Sequence, residues 1–284
     1  MTLMSISAAS ALLFGSAVRW QQQQTLQHKK LRQGLYYLSQ LQQLIMTSQQ
    51  HRAISSAFLD GDSSLQPELL TLQRQIDAFI SDKANQSLQS FAQWQSFADH
   101  WPRLKQAVSN QSLPVSQLLR QHVAMIDTQL KLLDVVCQHY HLYDLMLDNM
   151  TRLPDICIDT LHVAEDIAQM RAVGTALCLK EEMSDDIALR LVHRSLSARI
   201  RALLKDLHAI QNPQLHVVLN NHLLAMQTEL QQLMQLVEKE LLDTKQRALP
   251  PQSYFNAATR PINAVQDCFN VITQFAVNNY AKLI

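Results

Sequence analysis

The sequence predicts an all-α protein, built as two packed up-and-down four-helix bundles that share long helices. Three observations lead there. Glycine occurs only four times and proline eight times in 284 residues, while Leu and Gln are abundant, a composition that favours helices with short connections. Apolar residues recur at spacings of three and four along most of the chain, the periodicity of a helical face. No segment reads as a strand.

In chain order, Leu3 to Val18 is a 16-residue uncharged run with four serines and a glycine. It falls short of the roughly 20 apolar residues that span a bilayer comfortably. Arg19, Lys29, Lys30 and Arg32 follow it and no basic residue precedes it. It therefore lacks the basic start of a secretory signal, and if inserted it would leave the rest of the chain in the cytoplasm. Residues 1–19 are the candidate N-terminal anchor, with residues 3–18 tethering a cytoplasmic chain to the inner membrane. A soluble amphipathic start is the alternative. Residues 20–284 form the helical domain, with bundle halves of roughly 20–153 plus 252–284, and 154–249.

The first helix runs from Gln21 to near Leu59, where Leu31, Leu35, Leu38, Leu41, Leu44 and Ile45 form a bundle seam. Asp60 to Ser64 breaks it, and Pro67 suits the first turn of a second helix, expected from Gln66 to Asp99. Trp101-Pro102 is read as an interruption, leaving Arg103 to Val108 as a short helix. After Ser112-Leu113-Pro114, a helix from Val115 to Leu153 carries Leu118, Leu119, Val123, Ile126, Leu130, Leu133 and Val136 along one side. Pro154 opens the next, ending near Leu179 before the polar stretch Lys180 to Asp186. Helices from Ser184 to Ile210 and Pro213 to Ala248 follow, divided at Asn212-Pro213. Leu249-Pro250-Pro251 is the firmest break, since tandem prolines cannot continue a helix. The last helix starts near Ser253.

Composition also narrows the function. Formal net charge is zero, so a nucleic-acid surface gets no support from charge and no nucleic-acid partner is expected. Cys137, Cys157, Cys178 and Cys268 form no C-x-x-C pair, which reads as small apolar filler in a reducing compartment. Eleven histidines raise a metal hypothesis, but no Glu has a His three residues later, as a di-metal bundle requires. No metal site, no cofactor and no catalytic residue is expected. The chain has no Gly-rich phosphate loop and no nucleophile elbow, so an enzyme is not expected.

The chemistry-bearing pattern is a repeat. Gln50-His51-Arg52-Ala53-Ile54-Ser55-Ser56-Ala57-Phe58 aligns without a gap on Gln169-Met170-Arg171-Ala172-Val173-Gly174-Thr175-Ala176-Leu177, and internal repeats organise many helical folds. Beside each arginine, one turn on, sit small residues: Ser55 and Ser56, then Gly174 and Thr175. Neither arginine has a carboxylate at i±3 or i±4. Two readings follow. The arginines hold an anion with the hydroxyls in support, or small residues let helices pack closely while a carboxylate from elsewhere pairs each arginine. A third arginine, Arg260, also lies among small or amide side chains: Asn256, Ala257, Asn263 and Ala264. Arg52, Arg171 and Arg260 are therefore the candidate anion ligands, with Ser55, Ser56, Thr175 and Asn256 in support. Arginine suits the task because its charge persists and its planar fork matches planar oxyanions. Arg260, after the Pro-Pro break and next to Pro261, is the member expected to move.

This ordered set resembles the nitrate- and nitrite-sensing family, an all-helical module of bacterial receptors and regulators. The family's first signature, Gln-x-Glu-Arg-Gly with small residues and Leu, corresponds to Gln49-Gln50-His51-Arg52-Ala53 and the residues to Leu59. A mid-domain Arg-Gly or Arg-Ala segment corresponds to Arg171-Ala172-Val173-Gly174. An aromatic pair followed by Ala, Thr and Arg corresponds to Tyr254-Phe255-Asn256-Ala257-Ala258-Thr259-Arg260. The departures are His51 in place of the acidic residue, Ala53 in place of Gly, and Pro261 directly after Arg260. The resemblance implies two four-helix bundles holding a nitrate or nitrite anion between helices through the arginines. Family members pass the signal to an attached output module. This chain ends inside its last predicted helix, so a separate signalling protein is the expected partner, with a second copy of the chain as another candidate. The competing reading is a helical scaffold or adaptor that has kept the fold and lost the ligand.

Overall fold

The computed structural model describes residues 3–178, 187–244 and 248–280, with the backbone alone described over residues 3–18 and at residue 188. Eight α-helices account for nearly all of it: α1 (Leu3–Leu59), α2 (Gln66–Ser81), α3 (Ala92–Ser109), α4 (Val115–His139), α5 (Leu153–Cys178), α6 (Ile187–Ala209), α7 (Pro213–Val237) and α8 (Pro251–Tyr280). Helix α1 is continuous over 57 residues, about 85 Å at 1.5 Å per residue. Its expected start at Gln21 is therefore too late. Residues 19–30 are mostly exposed, whereas Leu35, Leu38, Leu41, Leu44 and Ile45 are buried. The side chains of the expected anchor over residues 3–18 lie outside the described residues. Among the described residues, no helix is long and apolar enough to cross a membrane.

Three further boundaries differ from the sequence reading, the first two for a local reason. The long second helix divides near Asp82, not at Pro102. Asp82 turns extended (φ −67°, ψ 125°) and its carboxylate accepts the Ala84 N–H, starting a 3-10 run over Lys83–Ser90. Pro102 instead lies inside α3. The helix carries past it because Trp94, Phe97, Trp101, Leu104 and Val108 all bury on one side, and that packing outweighs the missing hydrogen bond. Helix α4 stops at His139 instead of Leu153. His141 takes the left-handed conformation (φ 59°), and a 3-10 turn (Leu142–Asp144) leads to one isolated antiparallel bridge, Met146 with Arg152. Helix α7 ends at Val237 and passes into a π turn over Glu238–Leu242. The expected break and helix start over residues 180–186 lie outside the described residues.

The helices pack in two groups. Helix α1 lies against α2 and α4, with α3 on α4, while α5 lies against α6 and α8, and α7 against α6 and α8. Helices α1 and α4 meet α5, and α1 meets α8, across the junction. The chief neighbours of α8 are thus α5 and α7, so it belongs with the second half and not, as the sequence suggested, with the first. Helix α5 is buried on nearly every side, which is why it shows no single apolar stripe.

At the α5–α8 contact one small residue decides the fit. A Cβ at Gly174 would stand 2.3 Å from the Tyr254 ring. Tyr254 is fully buried, and its hydroxyl donates to the Met170 carbonyl at 2.9 Å, so the ring has nowhere to go. Gly174→Ala should therefore destabilise the protein by about 1–3 kcal/mol, the usual cost of overpacking, measured by urea denaturation. A cost below about 0.5 kcal/mol would show that Tyr254 can shift.

Candidate functional site

The two repeated arginines meet at the α1–α5 contact, but they play different parts. Arg52 is 2 % exposed and forms a two-pronged ion pair with Glu165 of α5, Nη1 to Oε1 at 2.6 Å and Nη2 to Oε2 at 3.1 Å. The same carboxylate accepts Gln49 Nε2 at 2.9 Å and Gln169 Nε2 at 2.9 Å. Four N–H donors thus fill the lone-pair sites of one carboxylate. A buried pair is held comfortably only when its remaining sites are satisfied in this way.

Arg171 is also buried, at 7 % exposure, yet among the described residues no carboxylate reaches it at salt-bridge distance. Its Nη1 donates to Thr259 Oγ1 at 2.9 Å, and its guanidinium carbon lies 4.6 Å from the centre of the Phe255 ring. Both partners are on α8 and neither carries a charge. Burial, and next the positive charge of Arg52, push the Arg171 guanidinium down to about 10, with Glu165 and Tyr254 opposing. At neutral pH it remains a cation.

Arg171 faces a cavity of about 260 Å³ between α1, α5 and α8. Gln49, Gln50, Asn263 and Gln266 supply amides to its wall, while Met46, Ala53, Ile54, Phe255 and Ile262 supply apolar surface, and the exposed Glu68 stands at its edge. Arg52 does not line the cavity. It lies behind, holding Glu165.

The other predicted residues fall elsewhere. Arg260 is one residue past Thr259, so it points about 100° around the helix. Its side chain is 60 % exposed and pairs with Glu229 of α7 at 3.5 Å. It joins neither the cavity nor the other two arginines, and the expected moving latch has no geometry here. The Ser55 and Thr175 hydroxyls donate back to carbonyls of their own helices, His51 at 2.5 Å and Arg171 at 2.8 Å. Ser56 is half-buried and outside the cavity wall. Asn256 is exposed and accepts from Gln252 at 3.0 Å. Conversely, the sequence reading missed Glu165, and it placed Gln49, Gln169, Phe255 and Thr259 in the motifs without naming them as site residues. A signal existed for Gln169, which sits four residues after Glu165 on the same helix.

His51, beside Arg52 in sequence, faces away from the cavity towards α3 and α4. Its Nδ1 is 2.8 Å from His122 Nε2, the His122 Nδ1 is 3.0 Å from the Leu118 carbonyl, and Trp101 packs edge-on at 4.9 Å. Because the Leu118 carbonyl can only accept, His122 Nδ1 carries a proton, its Nε2 accepts, and His51 Nδ1 donates. Protonating His122 at Nε2 would set two donors against each other. Burial lowers His51 to about 3, and burial with the neighbouring His51, Arg52 and His100 charges lowers His122 well below its usual value.

Comparison with known proteins adds to this geometry. The family model described as nitrate and nitrite sensing matches residues 43–272, which takes in the cavity, the Arg52–Glu165 pair and Arg171. No curated protein matches the chain. Among solved structures, the NasR transcription antiterminator superposes with a TM-score of 0.68 at 16 % identity, covering 95 % of this chain and 75 % of that one. That likeness shows a shared helical fold.

Two outcomes are expected from this arrangement. Arg52→Ala leaves Glu165 buried without its cation and should cost about 3–5 kcal/mol, whereas Arg171→Met removes a charge lacking a direct counter-ion and should be near neutral or stabilising. Thr259 is not orphaned by the second change, since its hydroxyl already donates to the Phe255 carbonyl. Urea denaturation compares them, and an equal cost for both would contradict the asymmetry. The histidine pair sets a pH response. The folded-state pKa of His51 is about 3 against about 6.5 unfolded, so between these values the unfolded state binds more protons. Stability is then full above about pH 6.5 and falls as pH drops towards 3. Unfolding midpoints at pH 7 and 4.5 should show the decline, and His122→Gln should make it shallower. An unchanged slope would assign the decline to other groups.

Proposed function

This chain belongs to the nitrate- and nitrite-sensing family, and from that premise we propose that it binds a nitrate or nitrite anion at Arg171. The observation that carries this reading is a buried arginine that faces a cavity and whose direct partners, among the described residues, are a hydroxyl and an aromatic ring. Such a charge is costly to keep in the interior, and an anion beside it relieves the cost. Nitrate and nitrite are planar oxyanions, suited to two parallel N–H donors of a guanidinium, and the amides of Gln50, Asn263 and Gln266 supply further donors. Arg52 acts one layer back by holding Glu165 and the α1–α5 contact. The anion would touch α1, α5 and α8 together. Any difference in its affinity between two packings of these helices shifts their balance, and a separate signalling protein would read that shift.

A scaffold role without a ligand is the second reading, and the Arg52–Glu165 pair favours it. One of the two repeated arginines already has an internal counter-ion and serves packing. The two readings part on one measurement. Under the sensor reading, nitrate or nitrite gives heat in calorimetric titrations run beside chloride and sulfate at fixed ionic strength. The melting temperature then rises with ligand, by an amount equivalent to about 2.7 kcal/mol at one hundred times Kd. Arg171→Ala should abolish both signals, and Arg171→Lys should weaken binding because lysine lacks the planar fork. Silence from all four anions on folded protein leaves the scaffold.

A further inference from the structure

We propose that Glu165, by balancing the charge of Arg52, sets the valence of the ligand, so that the cavity accepts monovalent anions and rejects divalent ones. The inference rests on the reading of the cavity as an anion site. It follows from a count of the charges buried together at the α1–α5–α8 junction. Arg52 and Arg171 contribute two positive charges and Glu165 one negative, at 2 %, 7 % and 5 % exposure. Among the described residues the net charge buried there is +1. His51 and His122 add none, because their tautomers are fixed as neutral by the hydrogen-bond chain from His51 to the Leu118 carbonyl. Glu68, at the edge of the cavity, is solvent-exposed and screened.

A monovalent anion beside Arg171 brings this sum to zero. A dianion leaves one negative charge unbalanced where water is scarce, and close to the Glu165 carboxylate. Unpaired buried charge is the expensive case. Glu165 also acts through geometry. It is a planar oxyanion already seated in the fork of Arg52, with its other lone pairs taken by Gln49 and Gln169. The incoming anion therefore finds one guanidinium open to it and cannot be clamped by two, so the arrangement does not offer the double cationic grip that a dianion needs. Without Glu165 two uncompensated arginines would be buried at the junction, one facing the cavity and one behind it.

The test compares nitrate and sulfate by calorimetry at constant ionic strength on the full chain and on Glu165→Gln, which keeps size and shape while raising the buried charge to +2. Sulfate is also harder to dehydrate than nitrate, so the reading is the change in the sulfate-to-nitrate affinity ratio between the two proteins, from which hydration cancels. The wild type should bind nitrate at least about tenfold more tightly than sulfate, and Glu165→Gln should raise the relative affinity for sulfate by about tenfold or more, equivalent to about 1.4 kcal/mol. A folded Glu165→Gln protein with an unchanged ratio overturns the proposal, as does a wild type that binds both equally. If Glu165→Gln does not fold, the double variant Arg52→Met, Glu165→Met replaces it. That variant removes a charge pair and keeps the sum at +1, so it should retain the preference for nitrate, and equal binding of the two anions would overturn the proposal. Absence of heat from nitrate, nitrite, chloride and sulfate alike on wild type overturns the anion reading itself, an outcome distinct from a wild type that binds without discrimination.

Discussion

The junction of this protein depends on one carboxylate. Glu165 sits on the most buried helix, a position where a lone charge would not survive, and it is kept there by the fork of Arg52 and the amides of Gln49 and Gln169. Three of those four bonds come from α1 and one from α5 itself. The pair therefore fastens the helix of one group to the central helix of the other at a defined height, which dispersion contacts between leucines would not do. Hydrophobic burial supplies most of the stabilisation, while the ion pair fixes the register between the groups.

The register at α1–α5 is then passed on to α8. Arg171 lies six residues along α5 from Glu165, and it reaches α8 through the Thr259 hydroxyl and the face of Phe255. Tyr254, one residue before Phe255, returns the contact by donating to the Met170 carbonyl, and it can approach that closely because residue 174 has no side chain. The bonds on the α1 side are charge-assisted and complete. Those on the α8 side are weaker, made to a hydroxyl and a ring, and they border the cavity. A ligand at Arg171 would sit beside the contacts to α8 made through the Thr259 hydroxyl and the Phe255 ring.

The helical class and the proline-marked boundaries at Pro67, Pro154, Pro213 and Pro251 were legible because each rests on local chemistry. The partner of Arg52 was not. Glu165 and Arg171 share a helix six residues apart, too far to touch, and their link to Arg52 depends on tertiary packing that no local spacing encodes. Arg260 was misplaced for a related reason. Composition marks a stretch, here Tyr254 to Arg260, but only the helix phase says which side faces inward, and that phase selects Phe255 and Thr259. Pro102 shows the same limit from another direction: a strong local breaker lost to five large buried side chains on its own helix.

The departures from the family pattern gain a physical meaning once these sides are known. His51 stands where the family has an acidic residue, yet it points towards Trp101 and His122 and away from the cavity. Replacing an acid there changes the polar core between α1, α3 and α4 and leaves the Arg52–Glu165–Arg171 arrangement as it is. Ala53, in place of glycine, does line the cavity, where one added methyl trims space without adding charge. Pro261 is buried within α8, and the helix runs on through it to Tyr280. Ala53 and Pro261 carry no charge, and His51 is neutral where an acid would be negative. Across the three departures Arg171 still faces the cavity and Glu165 still holds Arg52, and the buried charge counted among the described residues is +1 because a neutral His51, unlike an acid at that position, adds none.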